Sequence, residues 1–337
     1  EESLDSPKDY VQVIREYLTP FFETLSDAIP EKLSQCIVSG NEIQTIASMC
    51  NATNSLDFSI MERTAFTKMY KKAKEKGTEA ISMEYDIPQE EVEVLLPSLI
   101  VLNRLLKYTV NDSILLSNVL LSDAVMFEML FPKEASFVVK AYEEFTLQSA
   151  TSIAERFGRD IGHISRVSSV AIEIYDKMKK LHGYKSRERT LLQVSAILQD
   201  IGKYVNVKNH ALLSYNTITN LDIVGINDHE RLIIATVCYY HNGNIPSMDS
   251  PIYNQLSQED RVMVSKLAAI LQISNAINTS HSPKFEQVSV NMKNGKLNIY
   301  LTTLKNINLE KWAFIAKSKL FKEVYGLNAT IIKRGVL

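Results

Sequence analysis

Six amphipathic stripes follow one another, with no strand pattern between them, from about residue 138 to residue 279. They cover 138–157, 160–182, 186–201, 208–219, 228–241 and 257–279, and Gly183, Gly225, Gly243 and Pro246 stand in the gaps. Apolar residues at helical spacing give each segment one face that must leave water, and the Gly and Pro positions end the stripes. Helices of this kind bury their stripes only by packing on one another, which predicts an all-α domain over 138–283.

The flanks read differently. Residues 8–34 carry a helical pattern with a kink at Pro20, and Cys36–Val38 then reads as a short strand that meets Ser39-Gly40-Asn41 before another helix. A strand, a tight turn and a helix start leave free N–H groups that suit an anion, so Ser39, Gly40 and Asn41 are candidate phosphate-binding residues; an ordinary βα connection has the same signature. A helix over 59–76 with Gly77 as its C-cap, a helix over 87–109 and a strand over 113–121 complete an alternating α/β region, 1–137. Too few strands are present for that region to be a whole α/β domain. After Pro283 two alternating runs flank Asn294-Gly295, a hairpin signature, and a helix over 309–325 and a strand over 328–334 follow. The fold class expected is therefore α+β, mainly α, with a small α/β unit over 284–337 at the end.

Composition narrows the function. Of 337 residues 45% are hydrophobic and 23% charged, which is enough to build cores and argues against disorder. The formal net charge of −2 gives no field for nucleic acid, and apolar runs such as "LLPSLIVL" (95–102) are too short to span a bilayer. The acidic start "EESLDSPKDY" reads as no signal peptide, and Cys36, Cys50 and Cys238 lack the CxxC spacing of a zinc site or a disulfide framework; a reducing cytoplasm is expected.

Chemistry concentrates in the helical stretch. His163 follows Gly162 at a helix start, Asp200 lies in "LQDIGKY", His241 ends "CYYH" and Asn275 lies in "LQISNAIN". A His, His-Asp, Asp set drawn from separate helices holds a divalent ion that activates water. Here Gln199 stands in place of the central His and Asn275 in place of the final Asp, and an amide is a weak, neutral ligand. The expectation is that no metal is held, that His163, Asp200 and His241 are vestigial positions, and that these groups hydrogen-bond one another.

With these residues in view the sequence resembles the Ppx/GppA family of exopolyphosphatases and guanosine pentaphosphate phosphohydrolases. The likeness runs along almost the whole chain and is strongest in "HISRVSSVAIEIYDKMKKLHGY" (163–184), "LLQVSAILQDIGKYVNVKNHALLSYNTI" (191–218), "ERLIIATVCYYH" (230–241) and "LAAILQISNAINTSH" (267–281). It implies that 1–137 is the end of an actin-like (ribonuclease H-like) phosphohydrolase domain and that 138–283 is HD-like. It further implies release of terminal phosphate from polyphosphate or pppGpp, with Mg²⁺ as cofactor, polyphosphate or guanosine penta/tetraphosphate as partner, and a homodimer. Arg166, Lys203, Lys208 and His210 fall along the implied polyphosphate path, with Arg187 and Arg189 beside the same helix pair.

The departures from the family pattern are as telling. Asn41 replaces a Thr of the glycine-rich loop, Glu91 and Ser122 stand where arginines are usual, and Leu213 replaces the second His of a His-x-x-His stretch. Arginine fits a phosphate's fork of oxygens, so its loss weakens anion binding. The two Asp-Gly phosphate loops and the catalytic Glu of the family do not occur before residue 34, so no catalytic residue is assigned and the chain is expected to be a cut C-terminal piece or a shortened relative. The readings are an exopolyphosphatase-type hydrolase whose catalytic loops lie outside this chain, a silent dimerisation or polyanion-binding module, and, third, an HD-type metal hydrolase working through His163, Asp200 and His241.

Overall fold

The computed structural model describes residues 7–28, 32–55, 58–293 and 295–335. The chain divides into two compact units, Glu1–Ala135 and Ser136–Leu337. In the first unit the elements run α1 (Pro7–Ala28), β1 (Ile37–Val38), α2 (Asn41–Met49), β2 (Thr53–Asn54), β3 (Phe58–Glu62), α3 (Arg63–Tyr85), α4 (Gln89–Leu105), β4 (Ser113–Ser117) and α5 (Leu121–Leu130). Helix α6 (Pro132–Arg156) leads into the second, with α7 (Ile161–Lys177), α8 (Lys179–His182), α9 (Ser186–Leu198), α10 (His210–Ile218), α11 (Asp228–Tyr240), α12 (Pro251–Asn254) and α13 (Gln258–Ile277). Strands β5 (Gln287–Lys293) and β6 (Lys296–Thr302), helix α14 (Asn308–Tyr325) and strand β7 (Asn328–Arg334) close the chain.

The protein is mainly helical with two small sheets, the α+β, mainly α class that the patterns predict. In the first unit the sheet order is β1-β4-β3-β2, with β1 parallel to β4 and the other pairings antiparallel. One expectation there needs correction. Residues 58–62 are strand rather than helix start: they alternate, placing Ser59 and Met61 inward, and they pair with β4 along five positions. Gly77 breaks the helical run where expected, at φ 80°, a conformation open mainly to glycine, and a second helical stretch, which the pattern does not show, follows the kink to Tyr85.

In the second unit the helices pack as their stripes require. Ala150, Val167, Ile174, Leu192, Ile234 and Leu271, from five different helices, are buried in one core. That core continues without a break into Leu297 and Ile299 of β6 and Phe314 and Phe321 of α14. The C-terminal segment therefore shares the helical core and has none of its own: α14 lies along α13, and β6 is flanked by antiparallel β5 and parallel β7. Lys293 pairs with Lys296, as a two-residue hairpin turn demands; Asn294 of the expected Asn-Gly turn lies outside the described residues, and Gly295 takes φ 67°.

One contact sets the geometry of the region that follows α9. Gly202 lies in a 3₁₀ turn, Ile201–Tyr204, where its N–H donates to Ser214 Oγ at 2.9 Å; that hydroxyl in turn donates to the carbonyl of Gln199 at 2.8 Å. A Cβ on Gly202 would lie 2.3 Å from the carbonyl oxygen of His210 and 2.5 Å from the amide nitrogen of Ser214, both backbone. Neither can swing aside, so only glycine lets α10 approach this closely. Gly202→Ala is expected to cost at least about 1–3 kcal/mol, the usual range for overpacking a close-packed interior. Gly326→Ala serves as the control for a left-handed C-cap in open space. Urea unfolding monitored by circular dichroism measures both, and a Gly202→Ala midpoint equal to wild type would refute the argument.

Candidate functional site

The site is assembled from helix ends. Asp160 caps α7, accepting the Gly162 N–H at 2.8 Å, and so fixes His163 in the first turn. Gln199 and Asp200 follow the end of α9, His210 opens α10, and His241 follows α11. His281 lies just past α13 at φ 53°, a left-handed backbone that histidine adopts more readily than most residues. The hydroxyl bridge of Ser214 holds α10 against the 3₁₀ turn, and Cys238 Sγ donates to the Ser195 carbonyl at 3.3 Å, tying α11 to α9. From α13, the Gln272 amide donates to the Tyr240 carbonyl at 2.7 Å and to that of Asn244 at 2.9 Å, holding the end of α11.

Two groupings result. In the first, Asp200 Oδ1 faces His241 Nε2 at 3.3 Å and His210 Nε2 at 3.6 Å, and the two Nε2 atoms lie 3.3 Å apart. All three residues are buried, and one atom from each falls within 4.8 Å of the others, a set that could hold a metal ion. Asp200 Oδ2 accepts from Lys203 Nζ at 2.7 Å. The second grouping is a cavity of about 170 Å³ whose wall includes Arg159, His163, Gln199, Asp200, Lys203 and His281. The His163 and His281 rings stack with centroids 4.1 Å apart.

Unpartnered polar atoms mark this region. Both ring nitrogens of His163, Gln199 Oε1, Asp200 Oδ1 and Arg166 Nε are buried without a hydrogen bond. Buried polar groups left this way cost about 1–3 kcal/mol each, so a cluster of five atoms calls for a ligand or water. The charges agree. Burial opposes ionisation of Asp200, yet the His241 imidazole and the Lys203 ammonium outweigh it and hold the carboxyl below the usual range. Burial lowers His210, with His241 adding to the effect; burial lowers His281, with Lys203 adding to it; burial and His281 take His163 down to about 4. Lys317, on α14, is also lowered by burial, against the pull of Asp200, and it makes no hydrogen bond or ion pair.

Each residue singled out in the sequence now has a place. His163, Asp200 and Lys203 meet at the cavity, and Arg166, whose guanidinium comes within 4.0 Å of Asp160 Oδ2, lies close enough for its charge to act on His163. His210 and His241 face Asp200 from its other side, while Asn275 is half-buried on α13 and absent from the cavity wall. Of the polar groups expected to bond one another, only Asp200 and His241 come together, at 3.3 Å, while His163 and Gln199 Oε1 are left without partners. Lys208 is exposed; Arg187 pairs with Glu230 and Arg189 with Asp176, so both are already neutralised. In the first unit, Ser39 Oγ donates to the Val119 carbonyl and Gly40, at φ 150°, precedes α2. The 580 Å³ pocket there is lined by neutral residues such as Gln44, Asn51, Asn54 and Asn118, and does not include Ser39, Gly40 or Asn41.

The Ppx/GppA phosphatase domain III profile matches residues 147–320. This chain belongs to the Ppx/GppA phosphatase family. The matched stretch, half of the chain, holds every residue of the Asp200 trio and of the cavity, so both features belong to domain III of a Ppx/GppA phosphatase. Among the described residues no helix is long and apolar enough to cross a membrane.

His281 and Lys317 escaped the sequence reading. Lys317 had a signal: Glu310, Ala313, Phe314, Leu320 and Phe321 form the buried stripe of α14, and Lys317 falls in it at helical spacing. His281 had none, since it lies outside any periodic pattern.

The low position of His163 gives a pH dependence. The unfolded chain binds a proton on this residue near 6.5 and the folded chain only near 4, so its contribution to stability is complete above about pH 6.5 and is lost as pH falls toward 4. His163→Gln is expected to flatten the stability profile in that window, measured by urea midpoints from pH 4 to pH 7. An unchanged slope would show that His163 titrates normally.

Proposed function

We propose that the helical unit holds a phosphoanhydride polyanion, inorganic polyphosphate or a guanosine penta/tetraphosphate, as the anion-guiding part of an exopolyphosphatase-type phosphohydrolase. The observation that carries this reading is the cavity beside Asp200, where buried polar atoms stand without partners. Arg159 and Lys203 line it beside Asp160 and Asp200, the charges of Arg166 and Lys317 act on His163 and Asp200 from close by, and a volume of about 170 Å³ admits a phosphoryl group with its first waters. Arg166 Nε and a His163 ring N–H are donors with nothing to bond, as phosphate oxygens require. Lys208 and His210 do not line this cavity: the first is exposed and the second bonds to the Val207 carbonyl and faces Asp200.

Hydrolysis is a separate matter. Mg²⁺-dependent release of terminal phosphate needs cationic groups around the transferring phosphoryl, and in the first unit Glu91 and Ser122 stand where the family resemblance implies arginines. The reading is therefore binding by this chain without turnover in its first unit. Titration calorimetry with medium-chain polyphosphate and with pppGpp at low salt is expected to give saturable binding that weakens as salt screens the charges over about 10 Å at 0.1 M. The double substitution Arg166→Ala with Lys317→Ala should lower affinity by about tenfold or more, since a hydrogen bond to a charged group contributes about 1.5–3 kcal/mol. Unchanged affinity in that variant, or no binding at low salt, would remove the cavity as the site.

A further inference from the structure

Three electron-rich atoms meet behind the cavity with nothing between them. His210 donates from Nδ1 to the Val207 carbonyl at 2.7 Å, and His241 donates from Nδ1 to the Cys238 carbonyl. A carbonyl only accepts, so each ring carries its proton on Nδ1, and in the neutral form each presents a bare lone pair at Nε2. Those lone pairs face each other at 3.3 Å and face Asp200 Oδ1, a buried oxygen that accepts no hydrogen bond. Lys203 neutralises the far oxygen of the carboxylate and leaves this one bare. Lone pairs packed this way in a buried place repel, and a positive centre among them would reverse the sign.

The spacing fits such a centre. A triangle with edges of 3.3, 3.3 and 3.6 Å has its corners about 2.0 Å from a common point, which is the length of zinc–nitrogen and zinc–oxygen bonds, about 2.0–2.2 Å. The Nδ1–H bonds to backbone carbonyls are also the outer support that metal-bound histidines use to fix their orientation. We propose that Asp200, His210 and His241 bind one divalent transition-metal ion. Two imidazoles and one carboxylate favour Zn²⁺, Co²⁺, Fe²⁺ or Mn²⁺ over Mg²⁺ and Ca²⁺, which take oxygen ligands.

This set is not the one that the spacing of the sequence points to. His163, Gln199 and Asn275 are outside it, and His210, read in the sequence as a polyanion contact, is inside it. Three protein ligands leave coordination positions open to water or an anion. Asp200 belongs to the trio and to the cavity wall alike, so a bound ion would border the cavity. The metal inference rests on the geometry of these three residues and stands whether or not a polyanion binds.

The test uses the full chain stripped with EDTA, then incubated with Zn²⁺, Co²⁺ or Mn²⁺ and desalted. Elemental analysis is expected to give about one ion per chain for wild type and for His163→Gln. His210→Gln and His241→Gln should each weaken binding by more than about tenfold, the lower end of what losing even an outer partner causes. Thermal shift on addition of metal is the second readout: wild type and His163→Gln rise in Tm, and the two ligand variants do not. Circular dichroism of the metal-free variants shows whether they fold; should one unfold, Asp200→Asn with its metal-induced shift replaces it. Stoichiometry near zero for wild type with all three ions would overturn the proposal. Loss of binding in His163→Gln with retention in His210→Gln would overturn it too, since the ligand set would then be a different one.

Discussion

A carboxylate taken out of water has to be compensated, and the second unit is organised around compensating Asp200. An isolated buried charge costs several kcal/mol even after the protein relaxes around it. Lys203 neutralises one oxygen from the adjacent turn and Lys317 adds its charge from α14, while His210 and His241 bring their rings to the other oxygen from two further helices without donating to it. Four segments distant in sequence thereby acquire a reason to meet at one point. Small side chains permit the meeting: Gly202 lets α10 come in, and the Ser214 hydroxyl occupies the remaining space and satisfies the chain on both sides.

The polarity of this interior is unevenly compensated, and the unevenness is informative. Elsewhere in the unit many buried polar groups find partners: Ser195 bonds to the Leu191 carbonyl, Gln272 to two carbonyls, and Glu310 Oε2 accepts from Lys284. Around the cavity His163, Gln199, Asp200 and Arg166 each keep an atom in reserve. Among the described residues, five of the eight buried side-chain atoms without a partner lie around the cavity, the other three being on Tyr240, Asn278 and Glu310, so most of the unmet bonding capacity gathers at one place. In a member of the Ppx/GppA phosphatase family that place lies within domain III.

Much of this was legible in the sequence, and the illegible parts have physical causes. Amphipathic periodicity found α6, α7, α9, α10, α11 and α13, because a helix that buries one face must show it in composition. Periodicity failed at Phe58–Glu62, where a five-residue strand is too short to outweigh the helix behind it. It marked the break at Gly77 but missed the helical stretch that resumes after it. His163, Asp200 and His241 were found by their spacing along the chain, but spacing cannot say which of them touch. His163 faces the cavity and stacks on His281, and His210 faces Asp200, the latter because α10 comes in close across the Gly202 contact. The actin-like and HD-like assignments rest on resemblance, which periodicity and spacing do not reach.

The position of α14 in the chain has a consequence for how this unit is made. Lys317 stands on the penultimate element, and α13 packs along that same helix. On the ribosome, Asp200, His210 and His241 emerge long before it. The unit's acid and its imidazoles are therefore gathered first, in a core still open along α13, and the distant lysine arrives with the segment that closes that core. Any cut that removes α14 strips the apolar cover of α13 and the charge facing Asp200 in one stroke, so the C-terminal tail is a seal on the site as well as the end of the fold.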